Sequence, residues 1–344
     1  MKIVEAAGAP RELGRALGEA GKTALAEDAF NTAQFQSLSQ WLGSARLTQI
    51  LTAATQAFPE IVEEIRGIAE GAGQPFEKVF LWNCRGDLRD LARSDDDGCT
   101  TLLLPRDDQH PATIGHNEDG APAFQGKGFM LEARPDQGPA FHAFCYPGML
   151  AGHAFGMNDR GLVQTINNIR PHDLTVGIPR HIITRAILAC ENLAQALALT
   201  RRTDRASGFH HNLGEARSQR LFSVEAPASG CLAREVTRRS AHANHLLNPA
   251  FSALPQDVTA SSDSRQQRAD NLLAAAQAAD GDPLPILFDR DNAALPILCR
   301  AEQTSNESYT LASAWFRLSA DQLSLTVHHG PDRAAVYQSG FSLG

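Results

Sequence analysis

The stretch GCTTLLLP, at residues 98–105, decides the predicted fold of this chain. β-Branched and apolar residues run from Cys99 to Leu104 and stop at a proline, a pattern typical of a short strand. The preceding residues 94–97, with the sequence SDDD, are acidic and favour a turn. The sequence therefore predicts that an acidic loop gives way to a strand at the bond between Gly98 and Cys99.

This bond is a chemically favourable place for self-cleavage. Gly98 has no side chain to block attack on its carbonyl, and glycine adopts backbone conformations that other residues avoid. Attack by the Cys99 thiol would form a thioester, and water would then release the upstream peptide and leave a free α-amine on Cys99. Because such an amine has an ordinary pKa of about 8, it can serve as the base for its own thiol. Taken alone, the Gly-Cys-Thr sequence is weak support for such a cut.

The residue pattern changes character across this bond. Before it, residues 11–42, 59–73 and 76–89 have the composition and apolar spacing of helices. After it, strands are predicted at 112–116, 128–133, 140–146, 161–167, 309–318 and 323–328, and helices at 179–198 and 263–279. Runs of strands, then helices, then strands predict a layered α+β fold rather than a doubly wound βαβ array.

Composition excludes several classes of protein. The net charge of -8 argues against nucleic acid as a partner, because a phosphate backbone requires clustered Lys and Arg. No basic amphipathic or long apolar stretch indicates a membrane, so a cytoplasmic location is predicted. The six cysteines have no CxxC spacing and are predicted to be reduced thiols, five of them buried as small apolar residues.

A second motif, GHNEDG at residues 115–120, follows about twenty residues after Cys99. One predicted hairpin separates the two motifs, and that length of chain can return beside Cys99 on an adjacent strand. The Asp119 carboxylate could then hold the α-amine and orient it as a base. A polar turn after a strand is the alternative interpretation of this motif on its own.

Together these motifs resemble the isopenicillin N acyltransferase family of self-cleaving hydrolases (peptidase family C45), relatives of choloylglycine hydrolases, penicillin V acylases and acid ceramidase. Further similar blocks occur in family order: PEIVEEIRGIAEGAGQPFEKVFLWNCRGDL before the cut, then PGMLAGHAFGMNDRGLVQTINNIRP, GIPRHIITRAILACENLAQAL, HANHLLNP and SSDSRQQR. Within the family, the GHNED form and residues 147–171 look most like the branch that includes carcinine hydrolase and β-alanyl-dopamine hydrolase.

The resemblance implies the four-layer αββα sandwich of N-terminal-nucleophile hydrolases. Residues 1–98 would form a small helical α chain, and residues 99–344 the β chain that carries the catalytic core. The two products would stay together as a heterodimer and one structural unit, because the α chain has apolar helix faces that need covering.

Four residues match the family's catalytic positions. Cys99 matches the nucleophile, and Asp119 matches the acid that binds the amine of the nucleophile. Asn244 matches an Asn that donates to the oxyanion, where a preorganised donor stabilises developing negative charge. Arg265 matches an Arg that pairs with a carboxylate near the nucleophile, and Asp119 is the expected partner. Arg268, one helical turn later, is an open alternative for this last role.

Other family positions are predicted to contact substrate. Asn167 matches a strand Asn that faces the pocket, with Asn168 as the alternative by one step of strand register. Choloylglycine hydrolases have an Arg where this chain has His116. A neutral His cannot lower a thiol pKa by fixed positive charge, so it is predicted to contact substrate instead. The adjacent Asn117 and Glu118 are predicted to do the same.

The activity implied is hydrolysis of the linear amide bond of a small N-acyl amine through a thioester on Cys99. Acyl transfer to an amine such as a β-lactam nucleus is the alternative, and a non-enzymatic binding protein is a third hypothesis. No cofactor or metal is predicted, because the His pairs at 210–211 and 328–329 would point to opposite faces of their strands. The Arg85-Gly86-Asp87 triplet is interpreted as a chance match to an adhesion tripeptide.

Overall fold

The computed structural model describes residues 1–88, 98–278, 280–299, 308–330 and 333–344. The acidic loop predicted at residues 94–97 lies outside these ranges. Within them, no helix has both the length and the apolar character needed to cross a membrane.

Strands of the described residues form two sheets. The larger has the order β1-β4-β5-β6-β7-β8-β9-β10, and the smaller has the order β11-β2-β3-β12-β13-β14. Their bounds are β1 (Lys2–Gly8), β2 (Cys99–Leu104), β3 (Ala112–Gly120), β4 (Phe129–Pro135), β5 (Phe141–Cys145), β6 (Phe155–Asn158), β7 (Leu162–Asn168), β8 (Phe209–Glu215), β9 (Arg220–Ala226), β10 (Leu232–Glu235), β11 (Ser240–His242), β12 (Tyr309–Leu318), β13 (Gln322–His328) and β14 (Ala335–Ser342). The pairing of β1 with β4 is parallel, and the other pairings are antiparallel.

The helices of the described residues lie in three groups along the chain, separated by strands. Their bounds are α1 (Pro10–Glu27), α2 (Ala33–Leu38), α3 (Ala45–Ala57), α4 (Pro59–Ala72), α5 (Phe76–Asn83), α6 (Arg180–Leu188), α7 (Leu193–Thr200), α8 (Ala260–Ala274) and α9 (Leu284–Leu287). Helix α4 shows how local sequence sets such bounds. Pro59 occupies its first turn, and Gly73 ends it in the left-handed conformation, with φ of 65°.

The two sheets pack face to face. The Phe155 ring on β6 meets the Phe316 ring on β12 edge-on, with 6.1 Å between centroids. A second apolar cluster lies on the other side of the smaller sheet, where Leu102 and Leu104 pack with residues of α8 and α9. Helices therefore cover the smaller sheet, and the large core cluster joins α1, α4 and α6 to the strands of the larger one. The predicted α+β class is confirmed.

Several predicted elements have different bounds in the structure. The segment predicted as helix over 11–42 is interrupted, because Thr32 begins a new helix by accepting a hydrogen bond from the backbone N–H of Phe35. The predicted helix over 179–198 is likewise divided into α6 and α7, since Asn192 caps the second. Helix α3 and strands β1, β6, β8 to β11 and β14 were not predicted.

Strand β1 shows that the first 98 residues, predicted to be a helical segment, also contain a strand. It places the start of the chain in the larger sheet, paired with β4 from beyond the predicted cut. Helices α1 and α4 of the same segment then approach each other closely over glycines. A Cβ atom at Gly71 would lie 2.1 Å from the Arg15 carbonyl oxygen, and one at Gly18 would lie 2.2 Å from that of Ile68.

This close approach predicts that Gly71→Ala destabilises the fold. The added methyl would collide with backbone rather than with a movable side chain, so the two helices must separate. We expect a loss of about 1–3 kcal/mol in the free energy of unfolding, measured by urea denaturation. Gln56→Ala, an exposed change in helix α3, should stay within about 0.5 kcal/mol. Equal values for the two variants would contradict the close helix packing.

Candidate active site

The register between β2 and β3 assembles the centre of the site. Cys99 lies opposite Glu118, and Thr101 lies opposite His116. Because side chains two residues apart on a strand share a face, all four side chains point the same way. The structure thus brings Cys99, the predicted nucleophile, beside His116 and Glu118.

A chain of hydrogen-bonding groups leads away from the thiol. The Cys99 Sγ lies 3.4 Å from Oε2 of Glu118, and the same oxygen lies 3.1 Å from Nε2 of His116. The His116 Nδ1 is 2.8 Å from the Thr101 hydroxyl, while the Tyr146 hydroxyl donates to Oε1 of Glu118 over 2.7 Å. Both oxygens of the Glu118 carboxylate are therefore fixed, and one of them faces the thiol.

The environment keeps the Cys99 thiol protonated in this chain. Burial raises the pKa of the thiol well above its usual range, and the negative charges of Glu118 and Asp119 raise it further. The positive charge of Arg265 acts in the opposite direction. Since the thiolate is the nucleophile, the reaction of Cys99 requires a base close to its sulfur.

The carbonyl of Gly98 is held next to this thiol. The backbone N–H of Asp119 donates to the Gly98 carbonyl oxygen over 2.8 Å, which continues the pairing of β2 and β3 by one residue. A Cβ atom at Gly98 would lie 2.4 Å from Nη2 of Arg265 and 3.2 Å from Oδ1 of Asn244. A side chain at this position would therefore require the Arg265 guanidinium to shift from its hydrogen bonds.

Asn244 and Arg265 fix the backbone of Cys99. The Asn244 Oδ1 accepts from the Cys99 backbone N–H over 2.8 Å and from Nη2 of Arg265 over 2.7 Å, and its Nδ2 donates to the Asn168 carbonyl. The Arg265 Nη1 donates to the Cys99 carbonyl oxygen and to the Thr100 hydroxyl, over 2.5 and 3.0 Å. Three predicted residues thus meet at the backbone of Cys99. In the uncleaved chain Asn244 presents an acceptor to the Cys99 N–H.

Asp119 is buried beside this group. The Thr310 hydroxyl donates to its Oδ1 over 2.6 Å, and its Oδ2 has no hydrogen-bond partner. Burial raises the pKa of Asp119 to about 6, although the Arg265 charge opposes the shift. Arg265 was expected to pair directly with Asp119, but its guanidinium bonds to Cys99 and Asn244 instead. Among the described residues, the charges of Arg265 and Asp119 interact without a direct ion pair.

The structure separates the alternatives that the sequence left open. Arg268 points away from Cys99 and forms ion pairs with Asp289, at 2.6 Å, and with Asp291. Asn167 is fully buried between the sheets, where it accepts from Thr101 over 2.8 Å. Asn168, one step along the strand, lines the cavity beside Cys99.

Besides Asn167, two residues predicted to contact substrate do not line this cavity. Asn117 lies on the opposite face of β3, because side chains alternate along a strand. Its Nδ2 donates to the Leu287 carbonyl over 2.7 Å, and its Oδ1 accepts from the Ser313 hydroxyl over 2.7 Å. His116 is fully buried behind Glu118, so it supports that carboxylate rather than reaching a ligand.

The cavity beside Cys99 has a volume of about 40 Å³. Sequence reasoning missed eight residues of its wall: Gln34, Arg85, Tyr146, His153, Ile166, Arg180, His181 and Phe209. The signal available was the presence of charged residues and His within runs that are otherwise apolar, as in LWNCRGDL. The interpretation of Arg85-Gly86-Asp87 as a chance match is accordingly incomplete. Arg85 lines the cavity, and Asp87 accepts from the Arg180 backbone N–H over 3.1 Å.

Cys99, His116 and Glu118 also form a set of potential metal ligands. Their ligand atoms all lie within 4.8 Å of one another, and all three residues are buried. Thiolate, imidazole and carboxylate together suit Zn²⁺. An ion bound there would occupy the sulfur, so it would block the thiol rather than assist it.

The buried Asp119 predicts a specific pH dependence of stability, testable with Cys99→Ala to prevent cutting. Its folded pKa of about 6 exceeds the ordinary value of 3.8, so the folded chain binds this proton more tightly and loses stability as pH rises from about 4 to about 6. Asp119→Asn removes the buried charge. We therefore expect it to increase the free energy of unfolding, followed through the Tm, more at about pH 7.5 than at about pH 4, with a difference of at most about 3 kcal/mol.

The control for this effect is Asp136→Asn, an exposed change on the surface. It should shift the Tm equally at both pH values. Asp87, whose pKa burial also raises to about 6, contributes the same trend to every variant and cancels in the comparison. An equal gain from Asp119→Asn at both pH values would show that Asp119 does not carry a buried charge near neutrality.

Comparison with known proteins places these features in a family. A family model described as acyl-coenzyme A:6-aminopenicillanic acid acyl-transferase matches residues 106–332. This range contains Asp119, Asn244 and Arg265 and begins after Cys99. It covers well over half of the chain.

Two named relatives share this similarity. The β-alanyl-dopamine/carcinine hydrolase of Drosophila melanogaster is 30% identical over 165 residues, which is 43% of this chain and 42% of that protein. The chain thus spans less than half of the length of this relative. The 40 kDa form of acyl-coenzyme A:6-aminopenicillanic-acid-acyltransferase from Emericella nidulans is 27% identical over 311 residues, 88% of this chain and 85% of the relative. The chain belongs to the acyl-coenzyme A:6-aminopenicillanic acid acyl-transferase family, as its resemblance predicted.

Proposed function

We propose that this chain cuts itself between Gly98 and Cys99 and then hydrolyses the linear amide bond of a small N-acyl amine, with Cys99 as its N-terminal nucleophile. One observation carries the proposal. The Gly98 carbonyl is bonded to the Asp119 backbone N–H over 2.8 Å, while the adjacent thiol faces the Glu118 carboxylate. A peptide carbonyl, a thiol, a base and a donor for developing charge are all present at one bond.

The proposed architecture is the four-layer αββα sandwich, with residues 1–98 as the α chain and 99–344 as the β chain. Support comes from the two facing sheets, one of them packed against α1, α4 and α6 and the other against α8 and α9. The pairing of β1 with β4 gives the α chain a place in the larger sheet. Backbone pairing of this kind favours a heterodimer that persists after the cut.

Self-cleavage would use the groups already around Cys99. Glu118 accepts the thiol proton, and the sulfur attacks the Gly98 carbonyl carbon. The Asp119 N–H stabilises the charge that develops on the oxygen. The C–N bond then breaks, the nitrogen of Cys99 takes up the proton, and water hydrolyses the resulting thioester. A carboxylate remains on Gly98, and a free amine and thiol remain on Cys99.

Turnover would use the new α-amine as the base. The Asp119 carboxylate, whose charge acts on Cys99, would hold this amine and favour the ammonium that forms after proton transfer. The thiolate attacks the amide carbonyl of the substrate, and the amine passes its proton to the leaving nitrogen. The Asp119 backbone N–H, released from the Gly98 carbonyl by the cut, stabilises the oxyanion. The Asn244 amide can join it once its Nδ2 leaves the Asn168 carbonyl, and water resolves the acyl thioester.

The size of the cavity supports this order of events. A volume of about 40 Å³ is near that of one water molecule, about 30 Å³, whereas ligand pockets usually span roughly 300–1,000 Å³. A substrate therefore does not fit beside Cys99 in the uncleaved chain. In the proposed order of events, the cut and a rearrangement of the residues around it come before turnover. This order explains why the cavity beside Cys99 is closed in the uncleaved chain.

Acyl transfer is the second candidate function. The relative that covers 88% of this chain is named as an acyltransferase, and its similarity is spread along the whole fold. Both activities share the thioester on Cys99 and differ in what attacks it. A nucleus such as 6-aminopenicillanic acid, added at increasing concentration, divides the acyl-enzyme between hydrolysis and transfer. Dominant N-acylated product would favour transfer.

Intact mass spectrometry tests the proposed cut. We expect two chains from purified protein, with the larger beginning at Cys99, because every group needed for the cleavage is in contact with that bond. Cys99→Ala should leave one chain of 37.1 kDa, apart from the small mass change, and should show no turnover with a panel of N-acyl amines. Wild-type protein that stays whole after long incubation would rule out maturation. Turnover by Cys99→Ala would remove Cys99 as the nucleophile.

The proposed base is tested by Glu118→Gln. Loss of the proton acceptor should slow self-cleavage by roughly 10²- to 10⁴-fold, followed as the appearance of the larger chain over time. Glu132→Gln is a matched control, because Glu132 also accepts from a tyrosine hydroxyl, that of Tyr337, over 2.9 Å. The control should cleave at the wild-type rate. Cleavage of Glu118→Gln at that rate would exclude Glu118 as the base.

A further inference from the structure

Arg85 is a buried cation in the wall of the cavity that contains Cys99. Only 9% of the residue is exposed. Its Nη1 atom is buried without a hydrogen-bond partner, and within the described chain no carboxylate forms an ion pair with the guanidinium. Because a buried charge without a counterion is strongly unfavourable, such a group indicates a ligand of opposite charge.

Two aromatic rings hold this guanidinium in place. It lies over the Trp82 ring, 4.7 Å from its centroid, and over the Tyr146 ring, 5.4 Å from its centroid. Such contacts orient the plane of an arginine but leave its donor edge free. The donor edge is therefore preorganised for a planar acceptor with two oxygens, which is the geometry of a carboxylate.

The nearby carboxylates are engaged elsewhere. Glu118 accepts from the Tyr146 hydroxyl on one oxygen and contacts His116 with the other. Asp87 accepts from the Ser207 hydroxyl over 2.6 Å and from the Arg180 backbone N–H. Neither is positioned to neutralise Arg85, so the positive charge faces the cavity.

A second arginine lies in the same wall. Arg180 lines the same cavity, donates to Oδ1 of Asn168 over 2.8 Å and lies over the Phe209 ring at 4.0 Å. The two histidines of the wall remain neutral. Burial, reinforced by the charge of Arg85, lowers the pKa of His153 to about 4, and burial with both arginines lowers the pKa of His181 well below its usual value.

We propose that the substrate of this site carries a carboxylate and that Arg85 binds it. The inference rests on the proposed amide hydrolysis and names its substrate class: an N-acyl amino acid, or an amide whose acyl chain ends in a carboxylate. A substrate with an ammonium group would bring a like charge beside Arg85 and Arg180, which selects against it. Arg85 belongs to the segment before the cut, so that segment determines specificity.

The test compares three substrates of equal length on the self-cleaved enzyme. One is an N-acylglycine, with its carboxylate on the amine side. The second is an N-succinyl amine, with its carboxylate on the acyl side, and the third is a neutral N-acyl amine. We expect one carboxylate substrate to exceed the neutral one in kcat/KM by at least about tenfold. Which of the two does so identifies the side that reaches Arg85.

Arg85→Gln should reduce this preference for the carboxylate by roughly 10- to 100-fold, since it removes a charged hydrogen bond, and Arg85→Lys should retain part of it. Arg185 provides a matched control. Its side chain is 8% exposed and lies over the Phe141 ring at 4.6 Å, but it is paired with Glu64 at 2.9 Å. Arg185→Gln should lower the Tm, because it leaves the buried Glu64 without its ion-pair partner. It should leave the preference for the carboxylate substrate unchanged. Arg85→Gln should not lower the Tm.

Binding is measured separately from turnover, so that the two proposals fail separately. The preferred N-acylglycine or N-succinyl amine should raise the Tm of the wild type but not that of Arg85→Gln. An unchanged preference in Arg85→Gln, or a fall in its Tm like that of Arg185→Gln, would make Arg85 structural and overturn the inference. Absence of turnover with every amide, alongside an Arg85-dependent Tm shift, would instead contradict the proposed hydrolysis.

Discussion

The antiparallel register of β2 and β3 is the constraint on which the site depends. It sets Cys99 opposite Glu118 and extends by one residue to place the Gly98 carbonyl on the Asp119 N–H. A slip of one residue would turn Glu118 to the other face, because the side-chain period of a strand is two. Asn117 opposes such a slip, since its buried side chain bonds to helix and strand partners on the far face.

Holding a reactive peptide bond inside the protein requires the burial of several charges. Glu118, Asp119 and Arg265 are all nearly inaccessible, and the Oδ2 of Asp119 has no partner. Such groups destabilise a fold unless other parts compensate for them. Apolar packing of the helices and sheets supplies that compensation. The same burial excludes water and strengthens the electrostatic interactions on which the proposed chemistry relies.

The predictions from the sequence and the observed structure differ most for contacts between residues that are far apart along the chain. Cys99, Asp119, Asn244 and Arg265 were identified by resemblance, and the fold brings all four together. The choice between Arg265 and Arg268 could be made only from the structure, because the two residues lie less than one helical turn apart. Strand β1 was missed since its partner β4 lies more than a hundred residues away, beyond any local pattern. The site's cationic wall was missed because a charged residue in an apolar segment has no characteristic spacing.

The segment before the proposed cut is held in the site by buried hydrogen bonds to residues that follow the cut. Trp82 donates to the Pro147 carbonyl over 3.1 Å, and Asn83 donates to the Gly148 carbonyl over 2.9 Å. The backbone carbonyl of Asn83 also lies 2.8 Å from Nδ1 of His181. Breaking the bond after Gly98 leaves all of these buried contacts intact. Since separation of the two chains would leave their polar groups unpaired, self-cleavage would free the amine of Cys99 without releasing the wall of its pocket.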